Sequence, residues 1–166
     1  ATFLTHSRVP DLAPDNLAIR YRTYTWHHGS GEAERIDVRF LSGRFACLPD
    51  DPEVDHADAV IVSDTGALRD RLRSQLENHF SPLINTVHAI SKLGKNAQWR
   101  LVADSCASQF LSMGQMISDD IHAQAEGLRF IQADHSSINN PQTRYVTLTY
   151  QDHSDTFVAR GGCCRY

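Results

Sequence analysis

The sequence predicts an α+β domain, with a mainly antiparallel sheet packed against two long helices. Three observations predict it. Strand-like segments with aromatic and β-branched residues occupy the first third of the chain. Between Ala67 and Ser118 the apolar residues recur at three- and four-residue steps, the period of amphipathic helix. Strand-like segments return after that. Strands grouped on either side of helices indicate α+β architecture rather than a parallel α/β sheet.

In order along the chain, residues 1–16 carry Pro10 and Pro14 among polar residues and read as a loop or arm. Leu17 to Trp26 partly alternates and reads as a strand. His27 to Gly31 is a turn cluster. Ile36 to Leu41 alternates apolar and charged residues, as a half-buried strand does. Ser42-Gly43 makes a tight turn, and Arg44 to Leu48 is expected to pair back as a hairpin. Pro49 to Asp58 is an acidic loop. Ala59 to Ser63 reads as a short strand buried on both faces.

Asp64-Thr65 then offers a helix N-cap. One face of the helix carries Leu68, Leu72, Leu76, His79, Phe80, Leu83, Val87 and Ile90. Pro82 lies inside it, so either the helix kinks there or Ser81 caps a second one. Gly94 is the expected C-terminal glycine. Residues 97–118 form the second helix, with Trp99, Val102, Cys106, Phe110, Met113 and Ile117 on one face. Asp119 to Glu126 continues or restarts it, and Gly127 is expected to stop it. Leu128 to Gln132 is strand-like and Ala133 to Gln142 a polar loop. Thr143 to Tyr150 is a strand, Gln151 to Asp155 a turn, and Thr156 to Arg160 a partner strand. These segments fit one domain over 1–166: a strand-rich part at 1–63, a helical part at 64–126, and C-terminal strands at 127–166.

The chain has 166 residues, 41% hydrophobic and 22% charged, an ordinary globular composition. The net charge of −4 lacks the basic stripe that a nucleic-acid binder needs. It tolerates a neutral or cationic ligand better than an anionic one. No apolar run spans a bilayer, and peripheral association with a membrane is left open. The sequence starts at Ala1 with neither an initiator Met nor the apolar stretch of a signal peptide. With four cysteines, one pair of them adjacent, reduced thiols in a cytoplasmic setting are the expectation.

Most chemistry-bearing residue types have a plain reading. His27 and His28 are solvent-exposed turn residues. His79 is a core or boundary residue, and His88, nine positions on, does not share its face. His56 with Asp50, Asp51 and Asp55 offers donors for a divalent ion, but solvated loop charges explain them better. Cys47 and Cys106 read as buried structural thiols. No phosphate loop, nucleophile elbow or helical zinc motif is present.

The last seven residues are Arg160, Gly161, Gly162, Cys163, Cys164, Arg165 and Tyr166. Adjacent Cα atoms are about 3.8 Å apart, whereas disulfides want roughly 4.4 Å or more. A bridge between Cys163 and Cys164 is therefore strained. Two close thiolates suit a soft metal centre, and Gly161-Gly162 allow the backbone to bend so that both face one ion. The plain alternative is two small residues ending a strand. Arg160 and Arg165 either lower the thiolate pKa or are solvated strand-end residues.

Three stretches resemble the FhuF-like ferric siderophore reductases. Leu76 to Ile90 resembles the family's helix with an H-x-x-P-L core, here His79, Pro82 and Leu83. Trp99 to Phe110 resembles the Trp-led helix that follows. Phe157 to Tyr166 resembles the start of the terminal element, where a Cys-Cys pair precedes Cys-x-x-Cys. The resemblance runs from about Leu68 to Tyr166, with residues 17–63 expected to be the part that varies.

The resemblance implies a [2Fe–2S] cluster on four thiolates, of which Cys163 and Cys164 are two; a tail beyond Tyr166 is expected to supply the others. It implies one-electron reduction of a ferric siderophore, with an electron donor of unknown identity. Fe(III) is held by hard oxygen donors that hold Fe(II) far less tightly, so reduction releases the metal for cellular use. Trp99, Arg160, Arg165 and Tyr166 are the candidate substrate contacts. Two alternatives remain: a non-redox siderophore or small-ligand binding module, and a structural zinc-binding domain.

Overall fold

The computed structural model describes residues 2–25 and 32–159. Helices α2 (Thr65–Ser91), α3 (Lys95–Ile117) and α4 (Asp120–Ile131) form the centre, preceded by a single turn of helix, α1 (Thr2–His6). Among the described residues seven strands make three small sheets. β1 (Val9–Pro10), β4 (Phe45–Cys47) and β5 (Ala59–Ile61) form one, in the order β1-β4-β5. β2 (Leu17–Thr25) pairs with β3 (Glu32–Phe40), and β6 (Arg144–Tyr150) with β7 (His153–Ala159). Only the β4–β5 pairing is parallel among the described strands. The α+β class holds, with the strands divided among three sheets and α4 added to the two long helices.

Each helix starts and stops for a local reason. The Asp64 carboxylate accepts from the Ala67 amide at 2.9 Å, capping α2. Asp119 caps α4 through His122 at 3.3 Å. The end of α2 falls on Lys92 in the left-handed region, φ 62°, rather than on Gly94, which precedes α3 with φ −58°. Pro82 neither ends α2 nor starts a new helix. The Ser81 hydroxyl donates to the Glu77 carbonyl at 2.7 Å, and the Thr86 hydroxyl donates to the Pro82 carbonyl at 2.9 Å. Such hydroxyl-to-carbonyl bonds flank the missing amide and favour a local bend.

Several expectations are corrected. Residues 2–16 are not a plain arm: they hold α1, β1 and a 3-10 turn at Pro14–Asn16. Arg8 anchors this segment by a two-pronged bond to Asp51, at 2.7 and 2.6 Å, so Asp51 is buried and paired rather than solvated. Arg44 to Leu48 does not fold back on β3; β4 pairs with β1 and β5 instead. β5 is an edge strand, and Val60 and Ile61 are exposed rather than buried. Gly127 does not stop α4, and 128–131 is helix, not strand. The turn cluster at 27–31 lies outside the described residues.

The core is made by Leu68 and Ile84 of α2, Trp99, Ala103, Ala107 and Phe110 of α3, and Phe130 and Ile131 of α4, with Phe3, Val9, Ala46 and Ile138. α3 and α4 pack closely because Gly114 faces Ala123, where a Cβ would come within 2.7 Å. The 133–142 loop is tied down by polar groups. Glu77 accepts from the Ser136 hydroxyl at 2.7 Å and the Ser137 amide at 2.6 Å. Buried Asp104 accepts from Thr143 at 2.6 Å. No described helix is long and apolar enough to cross a membrane.

Candidate functional site

Two features can carry function: an apolar cavity in the helical centre, and the strand pair that leads to the cysteine motif. The cavity follows from how α2 is held. Its N-terminal half is pinned to α4 by charged groups. Arg69 meets Glu126 at 2.8 Å, and Arg73 donates to the Phe130 and Arg129 carbonyls at 2.9 and 3.2 Å. The Arg73 guanidinium also lies 5.3 Å from the Phe130 ring centroid. α2 also packs on α3, and a gap remains between the two beside α1. The gap is a cavity of about 460 Å³.

Phe3 and Leu4 of α1, Phe110 and Phe130 make one end of the cavity. Leu72, Leu76 and Phe80 form the α2 wall, and Val102, Cys106 and Met113 the α3 wall. Ser105 and Gln109 are exposed on its rim. No charged side chain lines it among the described residues. Burial pushes the Cys106 thiol up to about 11, as expected of a thiol in an apolar setting. The same cause, with a smaller contribution from nearby Cys106, raises Tyr145 to about 12. Its hydroxyl donates to the Ala107 carbonyl at 2.9 Å.

The segments that suggested the family lie along this helical hairpin. His79 is half-buried, with its ring 6.0 Å from that of Phe80, and Leu83 is exposed. Trp99 is 9% exposed and packs in the core; it does not line the cavity, which leaves little of its ring for a ligand. His88 bonds the Leu93 carbonyl at 2.8 Å, and exposed His56 accepts from the Asp58 amide at 3.1 Å. Cys47 is fully buried, and burial raises its pKa.

β7 pairs with β6 in a fixed register, Val158 opposite Tyr145 and Ala159 opposite Arg144, and packs on α3. Its last residue is four positions before Cys163. Cys163, Cys164, Arg160, Arg165 and Tyr166 themselves lie outside the described residues. Sequence reasoning missed the contribution of α1 to the cavity. A five-residue helix next to two prolines carries no period long enough to read, although Phe3 and Leu4 are the apolar pair that marks it.

Among the described residues no group of three or more His, Cys, Asp or Glu side chains is placed to hold a metal ion. Neither Cys47 nor Cys106 belongs to such a group among the described residues. By chemistry, the pair that fits a thiolate-held centre is Cys163 and Cys164.

The fold and site thus define an α+β protein built on an antiparallel helical hairpin, with a strand pair leading to adjacent thiols. A family model described as ferric iron reductase FhuF-like transporter matches residues 1–152, and the chain belongs to that family. Membership points to siderophore iron reduction in general terms. The matched range includes residues 17–63. No curated protein and no solved structure gives a significant match.

Proposed function

We propose that this protein reduces the iron of a ferric siderophore by one electron, with a [2Fe–2S] cluster held in part by Cys163 and Cys164. The observation that supports it best is the Cys-Cys pair, four residues past a strand of fixed register, in a chain of the ferric iron reductase family. When bound, such a cluster supplies electrons singly, at a potential set by hydrogen bonds, charge and exposure. Arg160 and Arg165 offset the negative charge of the thiolates. Arg160, Arg165 and Tyr166 are placed in sequence to meet the oxygen-rich, often anionic face of a ferric chelate. Trp99 serves by fixing α3 in the core on which β7 packs.

The test is the visible spectrum of anaerobically purified protein, with iron and sulfide assays. The expected result is a broad visible band that dithionite bleaches, with about two irons and two sulfides per chain. Cys163→Ser and Cys164→Ser should each lose it. A colourless, iron-free protein overturns the cluster reading. Stoichiometric zinc in that protein would establish the structural-zinc alternative.

The reading extends to the membrane surface, where a cytoplasmic reductase meets incoming siderophore. The β2–β3 ribbon supports this. Along one face Ile19, Tyr21, Ile36 and Val38 are 57%, 70%, 56% and 56% exposed, with Ile19 opposite Val38 and Tyr21 opposite Ile36. The other face carries Arg20, Arg22, Arg35 and Arg39 around one Asp37. A nine-residue ribbon face covers only about 30 by 10 Å, roughly 300 Å². That is short of the ~800 Å² per partner of a stable protein interface. An anionic bilayer surface accounts for both faces at once, apolar residues entering and arginines reaching phosphates.

A further inference from the structure

We infer that the cavity between α1, α2, α3 and α4 is a binding site for one saturated hydrocarbon chain of an amphiphilic ligand, whose polar head stays outside at Ser105 and Gln109. The inference does not depend on electron transfer or on the cluster.

The chemistry of the lining comes first. The walls are Leu, Phe, Val and Met, with a thiol that burial keeps neutral, and no charge faces inward among the described residues. A ferric chelate or any other charged group would lose its hydration there without a partner. A methylene chain loses nothing and gains the full hydrophobic transfer.

Size and shape select among apolar occupants. About 460 Å³ lies within the range of small-molecule sites. The α3 wall runs from Leu101 to Met113, roughly 18 Å at the helical rise. The space is therefore long relative to its volume, as an extended chain requires.

The gap is built into the fold rather than left by poor packing. Arg69 and Arg73 commit the first half of α2 to α4, and the Lys92–Gly94 turn fixes where α3 begins. These bonds hold α2 in place at the end of the slot next to α4. The polar atoms sit only at the rim, where a head group remains hydrated.

The test is calorimetric titration of the full chain with hexanoate, octanoate and decanoate, each below its micelle concentration and without iron. Affinity should rise roughly fourfold per added methylene. Decanoate should also slow labelling of Cys106 by a maleimide. Cys106→Phe, which fills the slot, should weaken decanoate at least tenfold. Ser105→Trp, on the exposed rim, should do the same in a chain whose circular dichroism is unchanged. Affinity independent of chain length, or chain-length dependence that survives Ser105→Trp with Cys106 still fully reactive, overturns the inference.

Discussion

Gly127 of α4 lies against the hydroxyl of Tyr145 on β6, so close that a Cβ at position 127 would overlap it. The same Cβ would come within 2.9 Å of the Phe110 Cβ on α3. Glycine in mid-helix normally costs about 1 kcal/mol relative to alanine. Here the contact outweighs propensity, because Phe110 and Tyr145 are both packed and neither can retreat. Gly127→Ala is expected to destabilise by about 1–3 kcal/mol, read as a lower urea midpoint. Tyr145→Phe in the same chain should recover part of the loss, since it removes one of the two obstructing atoms. A stabilised single variant would contradict the packing.

Glu126 gives the pH dependence. Its burial would raise the carboxyl, but hydrogen bonds from Arg69 and Arg129 prevail and hold it below the usual range. A carboxylate with a depressed folded-state pKa contributes stability that is present above its unfolded value, about 4.3. That contribution is lost as pH falls through the folded value. Glu126→Gln should therefore cost about 3 kcal/mol at pH 7, by leaving Arg69 without its buried partner. As pH falls below about 4.3 the gap to the wild type should narrow steadily. An equal gap at pH 7 and pH 3.5 would rule out the charged pair as its cause.

The helices were the legible part of the fold, and Gly127 shows where legibility stopped. Leu68, Ala103, Phe110 and their neighbours recur at helical spacing over more than fifty residues, and nothing in the tertiary structure overrides that signal. A glycine after Glu126 looks the same in sequence whether it ends a helix or admits a tyrosine from a distant strand. The partner of β4 was unreadable for a similar reason. Its pairing with β1 and β5 is fixed by Arg8 reaching Asp51, a contact across 43 residues. At the site, the thiol pair was legible because adjacency alone restricts its chemistry. The cavity was not, since its walls come from four helices whose side chains meet only in the folded chain.

Pro82 separates stability from function. It is exposed inside a continuous 27-residue helix, where proline is unfavourable by about 3 kcal/mol in a regular interior. The Ser81 and Thr86 hydroxyls bond the Glu77 and Pro82 carbonyls, which leaves the Asn78 carbonyl that Pro82 deprives of its amide. Pro82→Ala is expected to raise stability by about 1–2 kcal/mol in denaturant unfolding. If the H-x-x-P-L segment shapes α2 for its task, ferric chelate reduction should fall while stability rises. A fall in both would mean that the helix needs the proline for folding.

The ribbon makes a separable prediction. Protein should float with phosphatidylserine-containing vesicles and not with pure phosphatidylcholine, and the binding should weaken with salt. Each arginine near an anionic surface is worth about 1 kcal/mol. Arg20→Glu with Arg39→Glu should therefore lower binding by at least about 30-fold. Ile36→Ser with Val38→Ser should abolish it, as the apolar face is the part that enters. Binding unchanged by both pairs would remove β2–β3 from membrane contact. Concentration-dependent dimerisation that only the apolar pair disrupts would assign that face to a second copy.

The thiols provide a direct reading of burial. In a chain of residues 1–166 with Cys163 and Cys164 both replaced by serine, Cys47 and Cys106 are the remaining thiols. An ordinary cysteine with pKa about 8.5 is roughly a quarter thiolate at pH 8. Cys106, pushed up to about 11, is thiolate in only about one molecule in a thousand at that pH. Its reaction with a disulfide reagent at pH 8 should be at least 100-fold slower in the native chain than after unfolding. The rate should climb steadily toward pH 11 while the fold persists, because the raised value defers ionisation rather than blocking access. Cys47, fully buried beside Asp51, should stay silent over the same range until the chain unfolds. Rapid labelling of Cys106 at pH 8 would mean that the cavity is wet, and its apolar character would have to be abandoned.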